Sequence, residues 1–444
     1  MCGYPRIMQY LDTSTTPEAA IRRILTGRSA ESMAGVENSV HAILKDVIQR
    51  GDEAVVEHTR TFDWPGAAAD TLEVPRTELE EALRNIDPEL LSIIELSAKN
   101  IEAFHKAEMG RLQSWMMTPG PGEMLGQIIQ PMERAGIYVP GGKAFYPSTV
   151  LMAAIPARVA GVKEILLCTP ARKDGSLHPL VMALAAKYAD RVFKVGGAQA
   201  IGAMAYGAGT IPKVDVIAGP GNDYVNTAKR IVNGTVAIDM LAGPSEVGIV
   251  ADSGANPRLV AADLLAQTEH GPENRGFLFS PSSEFLESCR KELTSLRSTM
   301  SRQDILMKTD ENLAFIKTAN LDEAVELSNA LAPEHLELCV REPLALLGAI
   351  RNAGAILFGE YTSAPAGDYI AGPSHTLPTA GTARFSSPLS CNTFIKRSSV
   401  LYHDKTVAAK YAENIGRFAD LEGFDAHAAA ARLRPAESEK AQND

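Results

Sequence analysis

From Gly136 onward the chain alternates short apolar runs with segments of helical length. Gly136–Val139, Glu164–Cys168, Arg191–Val195 and Val214–Ala218 are predicted strands, because brief aliphatic runs bounded by glycine, proline or charge suit the buried strands of a parallel sheet. The stretches between them, such as Ser148–Ala160 and Ala198–Tyr206, are long enough for right-handed crossover helices. A second alternating set follows, with Val247–Ala251, Gly276–Phe279, Leu313–Lys317, Leu336–Val340 and Ala355–Phe358 as strands.

Ahead of Gly136 the period changes. Thr16-Pro17-Glu18 predicts a helix opening, with the threonine hydroxyl as cap and proline at the first helical position. Val36, Val40, Ile43 and Val47 share one helical face and Gly51 ends the run. Thr77-Glu78-Leu79-Glu80 has the form of a capping box and Asp87-Pro88 opens another helix, so the chain to about residue 115 is expected to be helical, with a short strand at Leu72–Val74. Beyond Arg384 strand character fades. Ala426–Leu433 is an alanine-rich helix capped by Asp425, and the polar end from Pro435 to Asp444 is expected to be disordered. The fold class is therefore α/β, two Rossmann-like lobes with parallel sheets and a cleft between them, plus a helical N-terminal arm and a C-terminal tail.

Composition narrows the partners. At 444 residues and 45% hydrophobic, the chain is long enough for more than one core. Its formal net charge of -11 disfavours nucleic acid and anionic membranes and favours a small-molecule substrate. The first sixteen residues hold no apolar core of a signal peptide and no later run has the length of a membrane span, which leaves a cytoplasmic location as the expectation. Cys2, Cys168, Cys289, Cys339 and Cys391 are odd in number and widely spaced, so neither a disulfide framework nor a zinc finger is expected.

Three glycine-rich turns lie in the first alternating lobe: Pro140-Gly141-Gly142, Gly196-Gly197-Ala198-Gln199 and Gly219-Pro220-Gly221-Asn222. The latter two leave a strand and enter a helix, where exposed amides and the helix N-terminus suit a phosphate. None is a full GxGxxG, and tight turns without a ligand read the same way. Gln267 and His270 share a face at the end of the helix opened by Asn256-Pro257, where partial negative charge favours a cation; a histidine capping the last carbonyls is the plainer reading. Asp368 and His427 are further nitrogen and oxygen donors of the kind zinc accepts. Glu334-His335, between a helix and a strand, could divide proton transfer, or be an incidental polar pair.

Taken in order, these segments resemble the histidinol dehydrogenase family over nearly the whole chain. Ile137-Tyr138-Val139-Pro140-Gly141-Gly142, Val195-Gly196-Gly197-Ala198-Gln199-Ala200, Gly219-Pro220-Gly221-Asn222 and Ala242-Gly243-Pro244-Ser245-Glu246 carry the resemblance. So do Glu269-His270-Gly271-Pro272, Ala332-Pro333-Glu334-His335-Leu336, Gly367-Asp368-Tyr369 and His375-Thr376-Leu377-Pro378-Thr379. Two positions depart from that pattern, Ser374 where asparagine is expected and Thr268 in place of alanine.

The resemblance implies an NAD-dependent oxidation of L-histidinol to L-histidine through the aldehyde, at the end of histidine biosynthesis. It implies that Gln267, His270, Asp368 and His427 hold one zinc ion, that Tyr138, Gln199 and Asn222 contact NAD, and that Ser245, His335, His375 and Glu422 surround the substrate beside those zinc ligands. Glu334 and His335 are then the catalytic pair, His335 taking the hydroxyl proton and Glu334 activating water for the second oxidation. It further implies a homodimer whose tails exchange, Glu422 and His427 completing the partner's site. The matching domain plan is an arm at 1–35, a zinc and catalytic lobe at 36–135 and 238–383, an NAD lobe at 136–237, and a dimer-exchange tail at 384–444. A sister dehydrogenase acting on another small polar alcohol, such as a sulfonated diol, is the alternative.

Overall fold

The computed structural model describes residues 8–27, 31–141 and 146–440. Cys2 and Gly142 lie outside the described residues. Strands β1 (Gln9–Asp12), β2 (Trp115–Met117), β3 (Glu123–Pro131), β4 (Arg134–Tyr138) and β5 (Glu164–Cys168) come first in chain order. Next are β6 (Arg191–Phe193), β7 (Val216–Ala218), β8 (Ala237–Ile238), β9 (Glu246–Ala251) and β10 (Arg275–Ser280). The last are β11 (Leu313–Lys317), β12 (His335–Cys339), β13 (Ala355–Phe358) and β14 (Ile395–His403).

One compact unit holds the described residues up to Lys106 together with Met132–Phe394. It contains two wholly parallel sheets, ordered β6-β5-β4-β7-β8 and β1-β11-β10-β9-β12-β13. Helices cover both faces, which is why β9 is buried at every position and reads as an unbroken apolar run after Glu246. Alternation along β9 sends Val247 and Ile249 into one core and Val250 into the other.

In the five-stranded sheet the order reverses between β4 and β7. Helices Pro147–Ala160, Pro179–Tyr188, Gly197–Tyr206 and Asp223–Val232 make the four crossovers. The helix Glu31–Arg50 packs on the last two of these, and Arg76–Arg84 packs on Pro179–Tyr188. These early helices therefore cover the glycine-turn sheet, whereas the sequence plan put residues 36–135 with the other lobe. The N-terminal arm is not wholly helical either, since β1 forms the edge of the six-stranded sheet beside β11.

Several local expectations change. Thr16 does not cap; its hydroxyl accepts from the Asp12 amide, and Pro17 occupies the cap of helix Glu18–Thr26. Thr77 lies inside helix Arg76–Arg84 rather than ahead of it. The strand at Leu72–Val74 reduces to one bridge, Glu73 to Phe193, flanked by the Val74 to Val192 and Lys194 to Leu72 backbone bonds. Cys168, Cys289, Cys339 and Cys391 are buried, and no disulfide joins them.

The second unit comprises Ala107–Pro131 and the chain from Ile395. It is an antiparallel sheet, β14-β3-β2, with helices Lys405–Leu421 and Asp425–Lys440 packed on each other. The tail thus does have a strand of its own, nine residues of β14 paired with β3 from Ile395–Pro131 to His403–Glu123. The final helix begins at Asp425 itself and runs through Pro435 to Lys440, where disorder was expected. No helix among the described residues is long and apolar enough to cross a membrane.

Candidate active site

Two cavities of the first unit gather most of the predicted site residues. The smaller, about 360 Å³, is lined by Ser245, Gln267, His270, Glu334, His335, Asp368 and His375. The larger, about 650 Å³, lies at the strand-order reversal and is lined by Tyr138 and Gln199. Among the described residues, Pro140 and Asn222 alone border both cavities.

Glu334 and His335 owe their placement to a short link. Helix Leu321–Leu331 ends at Ala332, which adopts a left-handed φ of 51°, and Pro333 then turns the chain into β12. Both side chains are buried at the strand's N-terminal end. The Glu334 carboxylate accepts from the Glu246 amide at 3.1 Å and from Gln267 Nε2 at 3.2 Å. His335 stands between two carboxylates, its Nδ1 3.9 Å from Glu334 and its Nε2 3.7 Å from Asp368.

Burial pushes the Glu334 carboxyl up to about 7, with the His335 imidazole opposing it. Burial alone would lower His335, but Asp368 and Glu334 outweigh it and hold its protonated form above the usual histidine range. The Asp368 carboxyl feels the same burial, and His335, His375 and His270 together keep it below its ordinary value. His375 is pushed down by burial. A carboxyl raised toward neutrality beside an imidazole that prefers its proton is a pair equipped to take and return protons.

Gln267 sits in the last turn of helix Pro257–Thr268, whose cap Asn256 accepts from the Arg258 amide; His270 follows in the turn beyond it. With Nε2 engaged by Glu334, the Gln267 side chain leaves Oε1 with no donor among the described residues. An amide oxygen, an imidazole and a carboxylate held ionised by three histidines form a hard, mixed nitrogen and oxygen donor set, which fits a divalent ion such as zinc. The two departures are structural here: Thr268 Oγ1 donates to the Leu264 carbonyl at 2.7 Å, and Ser374 ties its turn to Met152 and Thr376. Glu422 and His427 belong to the second unit, where both are exposed and His427 stands 5.3 Å from the Phe424 ring.

At the larger cavity the glycine turns are close-fitted. Gly219 has φ +119°, and a Cβ there would meet the Tyr138 carbonyl at 2.1 Å. Its amide donates to Asp239 at 2.8 Å while Lys229 Nζ donates to its carbonyl at 2.9 Å, and these two fully buried side chains pair at 2.5 Å. Asn222 caps helix Asp223–Val232 by accepting from the Val225 amide. The Gly197 amide donates to the Tyr138 hydroxyl at 3.1 Å. Two helix N-termini thus open beside a cavity lined by Arg172 and Lys173, which fits a dinucleotide's pyrophosphate.

Sequence reasoning missed two residues. Asn274 accepts from the Ser245 amide at 3.0 Å and donates to the Gln267 carbonyl, joining β9 to the end of the Gln267 helix. Asp63 accepts from the Gly196 amide at 3.0 Å and lines the larger cavity. Each is a polar residue beside a proline or glycine turn, the one signal available.

A parallel sheet that reverses its strand order beside a cavity, with glycine turns opening helices toward it, belongs to the dinucleotide-binding class of α/β fold. The family profile described as Histidinol dehydrogenase matches residues 26–435. The histidinol dehydrogenase of Synechococcus sp. is 46% identical over 419 residues, covering 94% of this chain and 96% of that protein. That of Aquifex aeolicus is 48% identical over 402 residues, covering 90% and 92%. The crystal structure of histidinol dehydrogenase from Elizabethkingia anophelis superposes with a TM-score of 0.90 at 34% identity, covering 100% of both chains. The chain belongs to the histidinol dehydrogenase family, whose members are NAD-linked oxidoreductases.

Proposed function

We propose that the protein oxidises L-histidinol through its aldehyde to L-histidine, with NAD in the larger cavity and one zinc ion in the smaller. The observation that carries this reading is the convergence of Gln267, His270, Asp368, Glu334 and His335 on one cavity that adjoins the switch-point cavity. Zinc, when bound, supplies a Lewis acid that anchors the substrate's imidazole and amine, and NAD supplies the hydride acceptor. His335, between Asp368 and Glu334, takes the hydroxyl proton of the alcohol. Glu334 takes a proton from water at the aldehyde carbon. Ser245 and His375 orient the substrate.

In this reading residues 136–237 form the NAD lobe, 238–383 carry the reaction chemistry, and Tyr138, Gln199 and Asn222 contact the dinucleotide. Two copies of the chain complete the site, with Glu422 and His427 of each reaching the other. What supports exchange is the surface of the second unit, where Phe418 and Leu421 are 66% and 84% exposed close to Glu422. A biosynthetic oxidation that draws on the cellular NAD pool belongs in the cytoplasm. The test is NADH production by zinc-loaded protein with a panel of small polar alcohols. Two NADH per histidinol is expected. Faster turnover of a sulfonated diol, with no histidine formed, would replace this reading.

A further inference from the structure

The geometry points to Asp63 as the residue that reads the adenosine ribose of the dinucleotide and excludes the form carrying a 2′-phosphate. The inference rests on the larger cavity being the NAD site. In the common dinucleotide fold a carboxylate near the end of the second strand accepts from the ribose hydroxyls. The equivalent strand here is β5, and its exit, Thr169-Pro170-Ala171, carries no carboxylate.

Asp63 supplies one from outside the sheet. It sits in the turn after helix Asp52–Phe62 and reaches the Gly196 turn at the exit of β6. The same spot adjoins the exit of β5: a Cβ built on Gly196 would meet Pro170 at 2.5 Å and both Asp63 oxygens at 3.1 Å. Glycine at 196 thus leaves room for Pro170 and keeps the approach of Asp63 uncrowded.

The carboxylate is only half used. Oδ2 accepts from the Gly196 amide at 3.0 Å and faces Gln199 Nε2 at 3.5 Å, whereas Oδ1 accepts from nothing among the described residues. Asp63 is also the one carboxylate among the described residues lining this cavity, whose cations, Arg172 and Lys173, suit the pyrophosphate. A neutral diol can donate to Oδ1. A 2′-phosphate, with about two negative charges, would meet the carboxylate's charge at contact distance.

Position decides which ribose is read. The border with the smaller cavity is at Pro140 and Asn222, beyond β4 and β7, whereas Asp63 stands at the exit of β6, past β5 at the sheet's far edge. The nicotinamide half must lie toward Asn222, which leaves the adenosine half for Asp63.

The test is equilibrium binding by calorimetry of ADP-ribose, its 2′-phosphate and its 2′-deoxy form to the full-length protein. Wild type should bind ADP-ribose at least tenfold more tightly than either analogue. Asp63→Asn keeps an acceptor for the Gly196 amide and loses a buried charge, so a melting temperature no lower than that of wild type is expected, with preference over the 2′-phosphate reduced at least tenfold. An unchanged preference in a folded Asp63→Asn overturns the assignment. So does a wild type that binds the 2′-deoxy or 2′-phospho form as tightly as ADP-ribose, a result that needs no variant. If wild type binds NAD but through another surface, with cavity variants such as Gln199→Ala silent, the NAD reading of the cavity falls instead.

Discussion

Asp263 on helix Pro257–Thr268 and Glu337 on β12 meet in the interior as two carboxyl groups joined by a hydrogen bond, so the pair must hold a proton. Burial pushes Asp263 up to about 6 and Glu337 well above its ordinary value. Glu337 Oε1 also accepts from the Ala364 amide at 3.3 Å, where the helix bearing Asp368 begins. One junction therefore fixes the elements that carry Gln267, His335 and Asp368 relative to one another.

Glu337→Gln, which keeps a donor and an acceptor, should cost under about 1 kcal/mol of stability, and Glu337→Ala about 2–4 kcal/mol, because it opens a void and leaves Asp263 buried without its partner. Urea unfolding of the two variants checks this. Equal losses would mean the hydrogen bond is not what holds the junction.

Asp63 gives a pH dependence of defined sign. Burial pushes its carboxyl up to about 6 from 3.8, against the pull of the Gly196 amide and Lys173. The folded chain then holds this proton more tightly than the unfolded one, so the contribution is complete below pH 3.8 and lost as pH rises through about 6. Asp63→Asn lacks the titration, so its advantage over wild type should grow between those limits and level off above about pH 6 at about 2–3 kcal/mol. Denaturant midpoints measured across that range decide it, and parallel curves would count against a raised carboxyl.

The buried Lys229–Asp239 pair braces Gly219 from both of its peptide groups. Asp239→Ala leaves a buried ammonium and should cost about 3–5 kcal/mol. Adding Lys229→Met should restore much of that stability without restoring dinucleotide affinity, since Gly219 stays unbraced. Recovery of both together would show that the pair serves stability alone.

Glu334→Gln is expected to slow aldehyde oxidation at least tenfold more than alcohol oxidation, and His335→Asn to slow both. Supplying the aldehyde directly separates the two halves. The same loss in each half for Glu334→Gln would remove the division of labour.

His270→Asn should release the metal and abolish turnover together. Metal content by elemental analysis is the readout, and full occupancy with normal turnover would take His270 out of the ligand set.

The parallel strands were legible in sequence because both of their faces are covered, so β5, β9 and β11 are apolar runs whose limits need little context. β14 was not. Its residues Lys396, Arg397, Ser398 and Ser399 are exposed in succession, and such a strand, held by pairing with β3, leaves no clean period of two. Thr16 and Thr77 had the right type for caps, but prolines one and two residues away took the cap position. The spacing of Gln267 and His270 pointed to a shared face. Bringing Asp368 and His375 to that face depends on chain packed from a hundred residues away, so residue chemistry offered Asp368 only as a possible donor and the family resemblance alone named His375.

Because Pro140 and Asn222 alone among the described residues border both cavities, the two chambers are neighbours rather than one vessel. On the proposed reaction this separates two kinds of traffic. A spent dinucleotide can depart and a fresh one arrive through the larger chamber while the half-oxidised substrate stays in the smaller one, so the exchange of cofactor between the two oxidations does not require the aldehyde to leave.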